Sequence, residues 1–400
     1  MIEPRRHLAP GRLRPVLGVA VAIVLVGAGV VTGVAFAGRG SSRSVINSTT
    51  STRGPSGSVA TSSTLPLPAP LRVISISPAN GDASVIGTAH IRVTFSSAIS
   101  SSSPMPELSP HEAGTWTGRG DRTVVFLPSV AFLPLAQVRV LVPAGASGVR
   151  AADGARLAHR AVDRFDVADG STMRLQQLLS LLDYSPLAFH PSSPPIPPSD
   201  LVAQRAALFH PPAGTFGWRA SGWPRQLTTL WQVGAFGVMT KGLVMEFQAD
   251  HELTPNGSTS VTLWQTLLSA LAAGEVNTGG YNYALADQAQ PESLTVWHDG
   301  HVVLHAPANT GIAQSPTADG SFNVYARFRS QVMRGTNPNG TTYADPVQYV
   351  AYFNGGDAVH YIPRASYGIP QSLGCVELDL SDAAKAWPYL AYGTIVTVTG

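Results

Sequence analysis

Residues 354–378 read NGGDAVHYIPRASYGIPQSLGCVEL, a run that holds the only cysteine in 400 residues. Cys375 therefore has no partner within the chain for a disulfide, which leaves packing or reactivity as its role. Ser372-Leu373-Gly374 precede it directly, and His360 stands fifteen positions upstream. Gly374 permits a tight backbone approach, and a turn there leaves the Gly374 and Cys375 N–H groups free to act as oxyanion donors. The run Asp357–Ile362 (DAVHYI) reads as a strand that presents an imidazole near its end. A thiol beside an imidazole is the minimal activated cysteine nucleophile. Burial as a small hydrophobe is the commonest fate of a free cysteine, and it is the setting of Cys375 that favours chemistry.

The composition narrows the class. Charged residues make up 12% of the chain, and 39 glycines and 32 prolines punctuate it, which suits a loop-rich and strand-rich exported protein. A net charge of +2, with no basic stripe interleaved with aromatics, gives no basis for nucleic-acid binding. No CxxC pair and no HExxH occurs, so zinc sites of the usual spacing are absent, and no metal or other cofactor is expected. His298, His301 and His305 cluster around an Asp-Gly turn and are expected on a hairpin surface.

The same stretch carries a resemblance. The order His360, Gly368, then Ser372-x-Gly374-Cys375-Val376-x-Leu378 resembles the signature of YkuD-type L,D-transpeptidases, which runs roughly HG…G…SHGC[IV]R[LM]. Upstream, Ser315-Pro316-Thr317-x-x-Gly320-x-Phe322-x-Val324 is similar to the TPTGxFxV element of the same family. The likeness spans about the last 120 residues and implies a mostly-β catalytic fold over 281–400. It further implies peptidoglycan stem peptides as substrates, joined by a 3→3 cross-link through a cysteine acyl-enzyme, with Cys375 as nucleophile, His360 as general base and acid, and the Gly374 backbone at the oxyanion. Ser372 is expected to support this pair, and Tyr361, Gly368, Tyr343, Tyr352 and Arg364 to meet substrate. No histidine and no arginine follows Cys375, which separates the chain from NlpC-type peptidases and from sortases.

Three positions depart from the family pattern. Tyr361 and Leu373 stand where a glycine and a second histidine are usual, and Glu377 replaces an arginine. An apolar Leu373 beside the nucleophile tends to raise a thiol pKa. Glu377 reverses a charge, with Arg364 or Arg327 as the cations available to compensate. Two other readings stay open beside the transpeptidase: a wall-binding protein without catalysis, and an L,D-carboxypeptidase that uses water as acceptor.

Toward the N-terminus the chain reads as an envelope protein. Arg5, Arg6, Arg12 and Arg14 lie in a basic tail, 1–14, and residues 15–37 (PVLGVAVAIVLVGAGVVTGVAFA) carry no charge. That length crosses a hydrocarbon core of roughly 30 Å as a helix, and the arginines hold the N-terminus in the cytoplasm. An uncleaved membrane anchor is the favoured reading. A cleaved signal peptide, with Ala35-Phe36-Ala37 as the cut site, is the other. Residues 38–70 are rich in Ser, Thr and Gly and read as a flexible linker. From 71 to 169, short alternating strands between turn residues point to a β-sandwich resembling bacterial Ig-like modules. Strands are expected near Leu71–Ser77, His90–Ser96, Arg122–Leu127, Gln137–Val142 and Arg164–Val167. Residues 170–274 read as a small all-α domain, with helices near 171–183, Leu227–Val233, Lys241–Asp250 and Ser260–Leu271. Leu230-Trp231, Thr240-Lys241-Gly242 and Phe247-Gln248 in this block resemble the small peptidoglycan-binding domain of wall hydrolases.

Overall fold

A computed structural model describes residues 69–400. The basic tail 1–14, the apolar span 15–37 and the linker up to residue 68 lie outside the described residues. Among those described, no helix is long and apolar enough to cross a membrane.

The first block is a two-layered β-sandwich. One sheet has the order β1-β2-β5-β4, formed by Val73–Ser77, Ile91–Phe95, Thr123–Pro128 and Gly114–Thr117; the other is β3-β6-β7, formed by Glu107–Ser109, Gln137–Val142 and Ala161–Asp166. Alternation decides the inner faces. In β6, Val138, Val140 and Val142 are buried while Gln137 and Arg139 face water. They meet Ile91, Val93 and Phe95 of β2 in one core. The five expected strands all lie within about three residues of observed ones, and β3 and β4 are additional.

The second block is not all-α. Helix α1 (Thr172–Leu181) is followed by strand β8 (Leu187–Pro191), helix α2 (Leu201–Ala207) and strand β9 (Gly214–Trp218), with β8 and β9 paired antiparallel. Phe189 and Phe216 stand directly opposite in that hairpin, their ring centroids 5.2 Å apart. Such a cross-strand aromatic pair rewards pairing, but more than twenty residues, including a proline-rich loop, separate its halves in sequence. Helix α3 is also shorter than expected, Arg225–Thr228, and the Thr228 and Thr229 hydroxyls donate to the Arg225 carbonyl beside the Thr229 N–H. Helices α4 (Val238–Asp250) and α5 (Val261–Ala273) follow, and Ser260 caps α5 by accepting the Leu263 N–H at 3.0 Å. Val244, Phe247, Trp264 and Leu267 are wholly buried.

The third block holds the remaining strands. Strands β10 (Asn282–Asp287), β11 (Ser293–His298), β12 (His301–Pro307), β13 (Gly320–Asn323) and β18 (Ile395–Thr399) form a five-stranded sheet, β12-β11-β10-β18-β13. Strands β14 (Ala326–Thr336), β15 (Thr342–Asn354), β16 (Asp357–Tyr361) and β17 (Val376–Leu378) form a four-stranded sheet in that order. Helix α6 (Leu380–Ala386) leads from β17 back toward β18. Val296, Val396 and Val398 of the first sheet pack against Phe353, Val359 and Val376 of the second. The five-stranded sheet is covered on its other face too: Tyr283, Trp297 and Ile395 share a core with α1, α4 and α5. The helical block is thus an outer layer of the five-stranded sheet, with its hydrophobic face committed to it.

Candidate active site

Cys375 and His360 come from neighbouring strands. Strands β16 and β17 run parallel with Val359 opposite Val376 and His360 opposite Glu377, so Cys375 immediately precedes the strand that lies beside the histidine. The chain turns into β17 at Gly374, whose φ is +113°. A Cβ there would lie 2.3 Å from Asp357 Oδ1, so both the backbone conformation and the space demand glycine. Ser372 is buried and clamps the turn: its hydroxyl donates to the Cys375 carbonyl at 2.6 Å and accepts the Gly374 N–H at 3.2 Å. The Gly374 N–H is therefore engaged rather than free, contrary to the expectation from sequence, although the bond is long.

The thiol and the imidazole are both held neutral. Burial pushes the Cys375 thiol up to about 12, with the carboxylates of Asp357 and Glu377 pushing the same way. Burial also lowers His360 from its ordinary 6.5, against an opposing pull from Glu377. His360 is 2% exposed, and its Nδ1 meets no protein donor or acceptor. The Cys375 sulfur is partly open to the cleft and lies 3.8 Å from the Gly356 carbonyl oxygen.

Glu377 does not repel its surroundings in the way its sequence position suggested. Arg364 grips it with two bonds, Nε to Oε2 at 2.8 Å and Nη2 to Oε1 at 2.5 Å. Asn309, fully buried, donates to the same carboxylate at 3.4 Å and accepts the Gly368 N–H at 2.9 Å. Arg327 takes no part, since it donates to the Trp387 carbonyl and stacks 4.1 Å from that indole ring.

These residues open on a cleft of about 830 Å³. One wall carries His360, Arg364, Leu373, Cys375 and Glu377. The adjoining wall is the long β14–β15 hairpin, which supplies Gln331, Met333, Arg334, Tyr343, Asp345 and Tyr352. Tyr343 and Tyr352 line the cleft, the latter hydroxyl accepting from Gln331. Two expected substrate contacts fall elsewhere. Tyr361 alternates with His360 along β16 and turns into the core between the sheets. Gly368 lies by Pro291, Glu292 and Pro307, where its φ of +100° serves a backbone turn. Asp357 and the far half of the hairpin were not singled out from sequence, although Asn337-Pro338-Asn339-Gly340 is turn chemistry that marks the hairpin's tip.

Two histidines of the β11–β12 hairpin are occupied locally, His298 with Asn282 at 2.8 Å and His305 with Thr295 at 2.8 Å, and His301 is exposed. Among the described residues no group of three or more His, Cys, Asp or Glu is placed to hold a metal ion.

Residues 281–398 match the family model of the YkuD L,D-transpeptidase catalytic domain. The chain carries that domain. Among solved structures, similarity extends to an L,D-transpeptidase from Mycobacterium smegmatis at 14% identity, over 83% of this chain and 100% of that one, with a TM-score of 0.28. L,D-transpeptidase 3 from Mycobacterium tuberculosis, in complex with a faropenem-derived adduct, is 14% identical over 82% of this chain and 98% of its own, also at 0.28. The catalytic domain of the E. faecium L,D-transpeptidase is 26% identical over 30% of this chain and 96% of its own, again at 0.28. No curated protein matches the chain significantly. The assignment rests on the family match, whose bounds enclose every strand of both catalytic sheets up to the penultimate residue of β18.

Proposed function

We propose that the chain is an exported peptidoglycan L,D-transpeptidase that forms 3→3 cross-links through an acyl-enzyme on Cys375. The observation that carries this reading is a lone thiol immediately before β17 and a buried imidazole, its Nδ1 unpartnered, on the adjacent β16, both in one open cleft. With the thiol pushed up to about 12, a resting thiolate–imidazolium pair is disfavoured. His360 must then take the proton as the sulfur attacks, in one general-base step.

Sγ attacks the carbonyl of the third stem residue, and the proton passes to His360. The carbon–nitrogen bond to the terminal D-alanine breaks, and His360 returns the proton to that leaving amine. Backbone N–H groups of the Gly374–Cys375 turn hold the oxyanion, the Gly374 donor by release of its long bond to Ser372. The amine of a second stem then attacks the thioester, an N–H proton travels through His360 to the sulfur, and the thiol is restored.

The apolar span 15–37 after four arginines supports a single-pass anchor in the cytoplasmic membrane with the catalytic domain outside, or secretion if it is cleaved. We read the sandwich as an Ig-like spacer and the helical layer as a peptidoglycan-binding-like module. The test is incubation of the full chain with purified tetrapeptide muropeptides, followed by mass spectrometry of peptides and intact protein. Cross-linked dimers, with a protein adduct lost in Cys375→Ala, are expected. Tripeptide without dimers would move the reading to a carboxypeptidase. Retained binding to wall sacculi with no adduct would leave a binding protein.

A further inference from the structure

Asp357 has no part in the steps above, yet it lies against the turn that carries the nucleophile. Its Oδ1 is so close to Gly374 that a Cβ there would sit 2.3 Å away, and it lines the cleft with Cys375. Its Oδ2 accepts from Asn354 Nδ2 at 3.2 Å across the tight turn between β15 and β16, while no protein donor meets Oδ1 among the described residues. The preceding carbonyl, Gly356 O, is 3.8 Å from Sγ. One carboxylate oxygen without a protein donor, and one carbonyl oxygen whose contact is the thiol itself, thus lie at the turn that carries the sulfur.

For acylation this arrangement is a handicap. A carboxylate beside a thiol disfavours the negative charge that must grow on sulfur, and Asp357 is the foremost charge acting on Cys375 in that direction. The nearby Glu377 is spent on Arg364, so Asp357 is the uncommitted anion next to the nucleophile. A group that opposes the first half-reaction is explained if the second half-reaction uses it.

We infer that Asp357 Oδ1 and the Gly356 carbonyl form the seat of the acceptor's ammonium group, a primary alkylammonium presented by the second stem peptide. This rests on the transpeptidase reading and adds to it which residues choose an amine over water. An ammonium has three donors and no acceptor, and Gly356 O, 3.8 Å from Sγ, would hold a bonded nitrogen in the neighbourhood of the acyl group that the sulfur carries. Reacting atoms held about 3–3.5 Å apart gain most of what proximity can supply. The bound ammonium releases one proton to water. Its nitrogen then forms the bond to the acyl carbon as the carbon–sulfur bond breaks, and the second proton leaves nitrogen through His360 to reach Sγ. Water, uncharged, gains little from the seat.

The experiment compares the full wild-type chain with Asp357→Asn, which keeps an oxygen to accept from Asn354, and with Asp357→Glu. Each is supplied with tetrapeptide muropeptides, and the intact-protein adduct is followed beside the ratio of dimer to tripeptide. Hydroxylamine, uncharged at pH 8, serves as a neutral competitor that captures the acyl group as a hydroxamate. Asp357→Asn should form the adduct at the wild-type rate or faster. Its dimer-to-tripeptide ratio should fall about tenfold at limiting acceptor and recover as acceptor is raised, while hydroxamate yield is unchanged. Asp357→Glu should recover part of the ratio. An unchanged ratio in Asp357→Asn, or an equal fall in hydroxamate, overturns the inference while leaving the transpeptidase in place. A wild-type chain that forms neither adduct nor dimer overturns the transpeptidase reading itself, and the inference with it.

Discussion

Glu377 lies beside His360, 3% exposed, and is met by Arg364 with bonds of 2.5 and 2.8 Å. Glu246, on α4 where that helix approaches the catalytic sheet, is met instead by the Asn277 amide at 3.3 Å and by the carboxylates of Asp250 and Asp299. Its pKa is accordingly raised to about 8, burial foremost and then Asp250. Two glutamates withdrawn from water are therefore satisfied in opposite ways, one by a cation and the other by keeping its proton. Low-dielectric surroundings make either solution preferable to a bare charge. At the site the paired charge remains next to the base and biases it. In the seam the carboxylic acid fills space and bonds locally.

The largest effects fall on the neutral pair that this charge borders. Cys375→Ala should abolish adduct and product alike. His360→Gln should lower the acylation rate by about 10²- to 10⁴-fold, the usual range for loss of a general base. The pH profile gives a second readout. His360 works only when neutral and its pKa is lowered, so wild-type acylation should rise through a point below 6.5 and stay flat across neutral pH. That acid limb should vanish in His360→Gln. If it persists, the titrating base is another group.

Arg364→Ala converts the first glutamate toward the condition of the second by leaving a buried carboxylate without its cation. Removing one partner of a buried pair costs about 3–5 kcal/mol. The lower end applies here, because Arg364 keeps 31% of its side chain in solvent. Glu377 raises the His360 pKa and Arg364 lowers it, so the variant's acid limb should move upward and activity near pH 6 should fall further than at pH 8. Adding Glu377→Gln should recover most of the stability in denaturant melts and return the limb. Recovery of neither would mean that the pair is not what holds the loop from β16 to β17.

Glu246→Gln tests the other half of the comparison with a smaller effect. A carboxyl whose folded pKa is raised binds its proton more tightly in the native state. Its stabilisation is complete below the ordinary 4.5 and is lost as pH rises through about 8. Wild-type thermal unfolding should therefore decline between pH 5 and pH 9, and Glu246→Gln should flatten that decline. An unchanged slope would assign the pH dependence elsewhere.

The legibility of the two regions in sequence differs for a physical reason. Cys375, His360, Ser372 and Gly374 are close in sequence, and the spacing of their residue types survives as geometry in β16, β17 and one turn. The sandwich is legible through alternation, as Val138, Val140 and Val142 show. The β14–β15 hairpin is not, because it stands away from the core: no residue of β14 is buried, Phe328 and Val332 being exposed on one face and Gln331 and Met333 only half-buried on the other, so neither face carries an apolar rhythm that a core would impose. The β8–β9 hairpin was hidden by its long connection. The clasp of Arg364 on Glu377 joins a loop to a strand, and sequence supplied two candidate cations without choosing between them. Tyr361 was misplaced by one step of the pleat.

Arg334 offers the smallest test and the one that separates the cleft's two walls. It is exposed on β14, lines the cleft, and among the described residues forms no ion pair. A cation in that position attracts an anionic peptide at long range, without gripping any one atom of it. Arg334→Ala should therefore raise KM a few-fold, about 2- to 5-fold at low salt, and leave the rate at saturation unchanged. At a Debye length of about 8 Å, in 0.15 M salt, part of that difference should already be gone, and at 1 M it should disappear. A change in saturated rate, or a KM effect insensitive to salt, would mean that Arg334 contacts the substrate directly during reaction, and the hairpin would then share the chemistry now placed on the β16–β17 wall alone.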